Sequence, residues 1–181
     1  MTAVTLNKLE APTAVELLRD HIPTPIGEML MAAADGKLMA LEFAGVQERF
    51  DNDLSFRFGD CRMTPARDPF GFCGRIAAYF KGELHAIDDI PVDGGGTPFQ
   101  QKVWAALRRI PCGETWSYSD LADEVGRPSA TRAVGMINGR NPISIVVPCH
   151  RVIGKDGSLT GYGGGLDRKR WLLQHERALL I

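Results

Sequence analysis

Cys149 and His150 stand side by side in the run Pro148-Cys149-His150-Arg151, and this pair has the means for nucleophilic chemistry. A thiolate is the reactive form of cysteine, yet a free thiol has a pKa of about 8.5 and is mostly protonated at neutral pH. It therefore needs a base, and imidazole is the commonest one. Adjacency does not guarantee contact. In an extended chain neighbouring side chains face opposite ways, so a turn or a bridging water must join the thiol to the ring. A third group would orient the base, and Glu176 is the candidate. It lies three or four positions from Leu172, Leu173, Leu179 and Leu180, inside the apolar stripe of a helix expected from about Asp167 to Leu180. A carboxylate there needs a hydrogen-bonding partner, and His150 or Arg151 would serve. The plainer alternative is a structural Glu-Arg pair.

Several elements must position these groups. Ile143 to Val147 reads as a short buried strand, and Pro148, which lacks an N–H, should end it so that Cys149 emerges at a strand end. Upstream, Ser117 and Asp120 are spaced as a capping box for a helix to about Val125, with Gly126 as its stop. A second helix is expected from Ser129 to Asn138, and the short Gly126-Arg127-Pro128 joint between them is a helix-turn-helix pattern. Ala130, Ala133, Gly135 and Gly139 leave the second helix nearly bare around one long cation, Arg132, as suits close approach to a groove. Before this pair, Thr97 and Gln100 form another capping box with Pro98 at the first helical position, and Phe99, Val103, Leu107 and Ile110 make one apolar stripe.

The N-terminal half carries scaffold signals. Asp35-Gly36 suits the positive φ of a tight turn between Met29–Ala34 and Leu38–Phe43, predicting a hairpin over residues 26–43. Asp68-Pro69 offers an N-cap and first-turn proline for a helix with Phe72, Ile76 and Phe80 on one face, stopped by Gly82. Val92-Asp93-Gly94-Gly95-Gly96 is the best linker candidate. The chain has 181 residues, 44% of them hydrophobic, enough for two small domains. The expected division is an N-terminal α/β domain over 1–92, a linker over 93–97 and a C-terminal domain over 98–181.

The formal net charge of −1 hides an asymmetry. Residues 1–96 hold 9 Lys/Arg against 15 Asp/Glu, net −6, whereas residues 97–181 hold 12 against 7, net +5. A basic C-terminal half is suited to phosphate. Met1 to Glu10 lacks a basic stretch followed by an apolar block, and no apolar run is long enough to cross a bilayer, so a cytoplasmic protein without membrane contact is expected. Four scattered cysteines, Cys61, Cys73, Cys112 and Cys149, suit a reducing compartment. Cys61, Cys73 and His85 lack the close ligand pairs of a zinc site, and Gly161 to Gly165 lacks the lysine of a phosphate-binding loop, so neither metal nor organic cofactor is expected.

The string Ile145-Val146-Val147-Pro148-Cys149-His150-Arg151-Val152-Ile153 resembles the active-site signature of the O6-alkylguanine-DNA alkyltransferases, the methylated-DNA–protein-cysteine methyltransferase family. The likeness extends through Gly113-Glu114-Thr115-Trp116-Ser117-Tyr118, Arg132-Ala133-Val134-Gly135, Asn141-Pro142, Gly161-Tyr162-Gly163-Gly164-Gly165 and Trp171-Leu172-Leu173-Gln174-His175-Glu176. Thr24-Pro25-Ile26-Gly27 and the hairpin after it are similar to the family's N-terminal domain.

The resemblance implies an α+β fold: an N-terminal ribonuclease-H-like domain with an antiparallel sheet and helix, then a mostly helical domain with a winged helix-turn-helix. It implies stoichiometric, irreversible DNA repair. Cys149 takes the alkyl group from O6-alkylguanine, with O4-alkylthymine as a further possible lesion, and is activated through water by His150 and Glu176, with Asn141 holding the network. Tyr118 would hydrogen-bond ring N3 and donate a proton. Arg132 would fill the space left by a flipped base, while Ala130, Ala133 and Gly135 let the helix enter the minor groove of double-stranded DNA. Arg151 and Val152, with Tyr162 and Gly163, would contact substrate or DNA. Many relatives have serine at the position of Gly163. A monomer is expected. Two rivals remain: an alkyltransferase-like lesion sensor, against which Cys149 weighs, and a Cys-His-Glu hydrolase, which would turn over acyl substrates.

Overall fold

The computed structural model describes residues 14–179. Met1 to Glu10, together with Leu180 of the expected last stripe, lies outside the described residues.

The N-terminal half is built on a four-stranded sheet in the order β3-β2-β1-β4, from β1 (Glu16–Ile22), β2 (Met29–Ala34), β3 (Lys37–Phe43) and β4 (Arg62–Pro65). Asp35 and Gly36 have φ of 49° and 71°, and they turn β2 into β3 as an antiparallel hairpin. The sheet is mixed, not antiparallel throughout. α1 (Gln47–Phe58) carries the chain from β3 across to the far side of β1, where β4 pairs parallel to it. The Phe72–Phe80 helix, α2, starts after a short 3-10 turn, Pro69–Gly71, so Asp68 precedes it by a full turn; its carboxylate nevertheless accepts the Gly74 N–H.

Residues 93–97 carry neither helix nor strand, and Arg57 donates to the Asp93 carbonyl at 2.6 Å and to the Met39 carbonyl at 2.8 Å. α3 (Pro98–Leu107) opens with the Thr97/Gln100 capping box and buries Val103, Ala106 and Leu107; such a cap is worth about 1 kcal/mol. β5 (Trp116–Ser117) leads into α4 (Tyr118–Glu124), capped by Ser117 and Asp120 and followed by Gly126 at φ 70°. A 3-10 turn at Pro128–Ala130 precedes α5 (Thr131–Gly139), which sits against α3 through the Trp104 indole N–H on the Ile137 carbonyl. β6 (Val152–Ile153) pairs parallel with β5, and α6 (Leu166–His175) closes the described chain.

One apolar cluster runs through both halves, from Met31 and Phe43 of the sheet through Leu107 and Val134 to Leu172. Backbone joins them as well. Leu41 donates to the Pro142 carbonyl and Ser144 to the Leu41 carbonyl, while Leu38 and Asp93 form a similar exchange with Pro91 and Leu38. Among the described residues no helix is long and apolar enough to cross a membrane.

Candidate functional site

The segment from Asn141 to His150 is buried throughout. The expected strand over Ile143–Val147 is a compact turn instead. Ile145 takes φ of 72°, Val147 donates to the Ile143 carbonyl at 3.0 Å, and Val146 donates to the Ser144 carbonyl at 2.9 Å. The side chain of Asn141 replaces a neighbouring strand: its Oδ1 accepts from the Ile143 N–H at 3.0 Å, and its Nδ2 donates to the Val147 carbonyl at 2.7 Å. A buried turn is tolerated because its peptide groups are satisfied in this way. The same Nδ2 lies 3.1 Å from Cys149 Sγ. Asn141 thus fixes both the turn and the thiol.

Cys149 accordingly opens a 3-10 turn, Cys149–Arg151, and does not leave a strand end. Its residue is 6% exposed. Burial pushes the thiol up to about 11, against the pull of the Asn141 amide. At rest it is a protonated, shielded sulfur.

His150 is fully buried, and its Nε2 meets Glu176 Oε1 at 3.0 Å. Burial holds the imidazole below its ordinary pKa, even though the Glu176 carboxylate pulls the other way. A neutral ring can accept a proton. Its Nδ1 has no hydrogen-bond partner among the described residues.

Glu176 collects more partners than a triad member needs. Arg151 Nε reaches Oε2 at 2.9 Å, Arg151 Nη2 reaches Oε1 at 2.9 Å, and the Tyr79 hydroxyl donates to Oε1 at 2.8 Å. Burial alone would raise this carboxyl, but His150 and Arg151 outweigh it and hold it well below the usual range. The helix stops at this point: α6 ends at His175, not near Leu180. Ala178 donates back to the Leu173 carbonyl and Arg177 to that of Gln174, with Arg177 at φ 61°, a Schellman termination that makes Glu176 the C-cap. Both partners considered for Glu176 from the sequence are engaged together. Arg151, expected among the substrate or DNA contacts, is instead 5% exposed and committed to Glu176 and the Ile110 carbonyl.

Around the thiol, the Tyr162 ring stands edge-on to His150 with centroids 6.5 Å apart, and its hydroxyl is buried without a partner among the described residues. Val152 presents its carbonyl to Lys169 Nζ at 2.6 Å. Tyr118, the first residue of α4, donates from its hydroxyl to the Thr160 carbonyl at 3.2 Å, at the start of the Gly161–Gly165 loop. An added Cβ at Gly135 would meet the Tyr118 ring at 3.5 Å, ordinary contact, so α5 lies flat against it. Arg132 is exposed and makes no hydrogen bond or ion pair among the described residues; Ala130 and Ala133 are half-buried beside it.

Four features were not singled out from the sequence. Lys169 is fully buried, gives its ammonium to the Val152 and Thr160 carbonyls, and is pushed down to about 8 by burial. Its place four, three and seven residues before Leu173, Leu172 and Glu176 on the buried stripe was a readable signal. Met136, 61% exposed and one turn after Arg132, means that the outer face of α5 is not bare. Tyr79 gave no sign beyond its place on an apolar helix. Glu42, a lone carboxylate in an apolar strand, is buried with Ser144 Oγ donating to it at 3.0 Å and Arg49 at 3.5 Å. Among the described residues no three His, Cys, Asp or Glu side chains gather as a metal site.

Residues 98–178 match the family model described as 6-O-methylguanine DNA methyltransferase, DNA binding domain. A methylated-DNA–protein-cysteine methyltransferase of Salmonella typhimurium is 46% identical over 170 residues, spanning 92% of this chain and 99% of the relative. The protein of the same name from Mycobacterium bovis is 46% identical over 160 residues, spanning 87% and 90%. The crystal structure of Mycobacterium tuberculosis OGT in complex with DNA superposes with a TM-score of 0.75 at 44% identity, covering 91% of this chain and 94% of that one. Identity at this level over nearly the whole length, with the family model lying on the half that carries Cys149, His150 and Glu176, places this chain in the methylated-DNA–protein-cysteine methyltransferase family.

Proposed function

We propose that Cys149 is the alkyl acceptor in the direct repair of O6-alkylguanine, used once and irreversibly. One observation carries the assignment: the thiol is held by Asn141 beside a buried imidazole whose far nitrogen is fixed on Glu176. Neutral His150 takes the thiol proton, through a bridging water at its otherwise unpartnered Nδ1, and the resulting imidazolium is stabilised by Glu176. Sulfur then attacks the alkyl carbon in line. The S–C bond forms as the C–O6 bond breaks, the O6 electron pair passes into the guanine ring, and Tyr118 donates a proton at N3. The product is a thioether, which is not a leaving group, so one protein repairs one lesion.

Burial of the sulfur requires the base to come to it, out of the duplex stack. We read α4 and α5 as a helix-turn-helix, with the β5–β6 region as its wing, that enters the minor groove. Arg132 takes the place of the flipped nucleotide, and Met136 extends the same exposed ridge. Carbonyls of Cys149 and Val152 accept from the guanine amine; each has a second lone pair besides the one facing Asn138 or Lys169. The N-terminal half, residues 1–92, serves as a ribonuclease-H-like scaffold, joined by 93–97 to the transfer domain at 98–181. We read the protein as a cytoplasmic monomer, and O4-alkylthymine as a second lesion to test.

The test is mass spectrometry after mixing the protein with duplex containing a single O6-methylguanine. One methyl on the peptide carrying Cys149, with no second turnover, is the expected result. Tight lesion binding without an adduct would establish the sensor reading instead, and turnover of acyl substrates the hydrolase.

A further inference from the structure

Gly163 is a glycine for a different reason from its neighbours. Gly161 and Gly165 have φ of 45° and 91°, where side chains are strained, and a Cβ at Gly164 would lie 2.9 Å from the Phe43 ring. The backbone at Gly163 is not in the left-handed region, so by conformation any residue fits there. What fills the space is a guanidinium from the other half of the chain: a Cβ on Gly163 would overlap Arg49 Nη1.

Arg49 is not loose in that position. Its Nη2 donates to the Asn141 carbonyl at 2.7 Å, and its Nε faces buried Glu42 at 3.5 Å. Glu42 also accepts from Ser144 Oγ and from the Phe43 N–H. The guanidinium therefore touches the main chain of the residue whose side chain holds the Cys149 sulfur, and it covers the bare loop beside Tyr162. Moving it would leave buried Glu42 with neutral hydrogen-bond donors but without its close ion-pair partner, which is the costly part of any displacement.

We propose that Arg49 is a positioning residue for alkyl transfer, locking Asn141 and the Gly161–Gly165 loop together, and that glycine at 163 is required by this guanidinium. The inference rests on Cys149 being the acceptor. It makes the N-terminal half a contributor to the site, and it makes residues 49 and 163 a coupled pair.

The experiment is a double-mutant cycle on single-turnover methyl transfer from duplex O6-methylguanine, with Gly163→Ser, Arg49→Ala and both together. Rate at saturating DNA and half-saturating DNA concentration are measured separately. Gly163→Ser should slow the saturating rate about tenfold with little change in half-saturation. In the Arg49→Ala background the same change should cost less than about twofold. Equal factors in the two backgrounds, or no effect of Gly163→Ser in either, would overturn the proposal. So would an effect confined to half-saturation. If Arg49→Ala fails to fold, Glu42→Gln with Arg49→Ala removes the stranded carboxylate and serves as the background. A wild-type protein that never methylates Cys149 would reject the acceptor assignment instead, which keeps the two failures apart.

Discussion

Replacing Glu176 by Gln isolates the charge at the centre of the site, since the side chain keeps its size and one oxygen. Four donors converge on the carboxylate: two from Arg151 at 2.9 Å, the Tyr79 hydroxyl at 2.8 Å and His150 at 3.0 Å. In Glu176→Gln one acceptor becomes an NH2 facing other donors, and Arg151, 5% exposed, loses its counter-charge. Breaking a buried pair in this way costs about 3–5 kcal/mol, which in a chain of this length lowers Tm by on the order of 10 °C. Transfer should also slow, because the imidazolium formed at His150 loses a charge-assisted hydrogen bond worth roughly 1.5–3 kcal/mol, about 10- to 100-fold in rate. The double variant Arg151→Met, Glu176→Gln separates the two effects. With both charges gone, much of the stability should return, less the bond from Arg151 to the Ile110 carbonyl. The rate should not return. Thermal denaturation and rapid-quench methyl transfer on wild type and the two variants decide the matter: a double variant no more stable than Glu176→Gln, or one transferring at the wild-type rate, would refute the reasoning.

Two other outcomes follow from the same site. Because burial raises the Cys149 thiol to about 11, its contribution to stability is complete below the pKa of a free thiol and is lost as pH rises through 11. Urea unfolding under reducing conditions should thus show wild type losing about 2–3 kcal/mol relative to Cys149→Ser between pH 8 and pH 11; parallel curves would mean the thiol is not desolvated. Arg132 is exposed and makes no hydrogen bond or ion pair among the described residues. Arg132→Ala should therefore leave Tm unchanged and slow repair of duplex about tenfold or more, while reaction with free O6-benzylguanine base stays near wild type; equal losses on both substrates would remove it from base extrusion.

Where local chemistry decides the structure, the sequence was easy to read. The Asp35-Gly36 turn and both capping boxes are consequences of a few adjacent residues, and they stand where expected. Glu176 was recognisable because a carboxylate on an apolar stripe has to be paired, and the structure supplies both partners considered. What failed was anything whose partner lies far along the chain. Ile143 to Val147 has the composition of a strand, but its backbone bonds go to Asn141, to Leu41 of β3 and within the turn, and Ile145 accepts a left-handed conformation that no glycine announced. The parallel pairing of β4 depends on α1, a helix too polar to stand out by periodicity. Arg49 looks like any surface arginine until its helix is placed against Asn141, 92 residues away.

The hydrogen bonds between β3 and the Pro142–Ser144 turn have a consequence for the protein's vulnerability. β3 is an outer strand, with unpaired N–H and C=O groups that would otherwise offer a template for another chain. Leu38 and Leu41 instead spend theirs on Pro91, Asp93, Pro142 and Ser144, so the segment that shapes the thiol's surroundings also seals the sheet. Loosening that turn would at once disarm Cys149 and uncover an aggregation-prone edge; inactivation and self-association should therefore share one opening event.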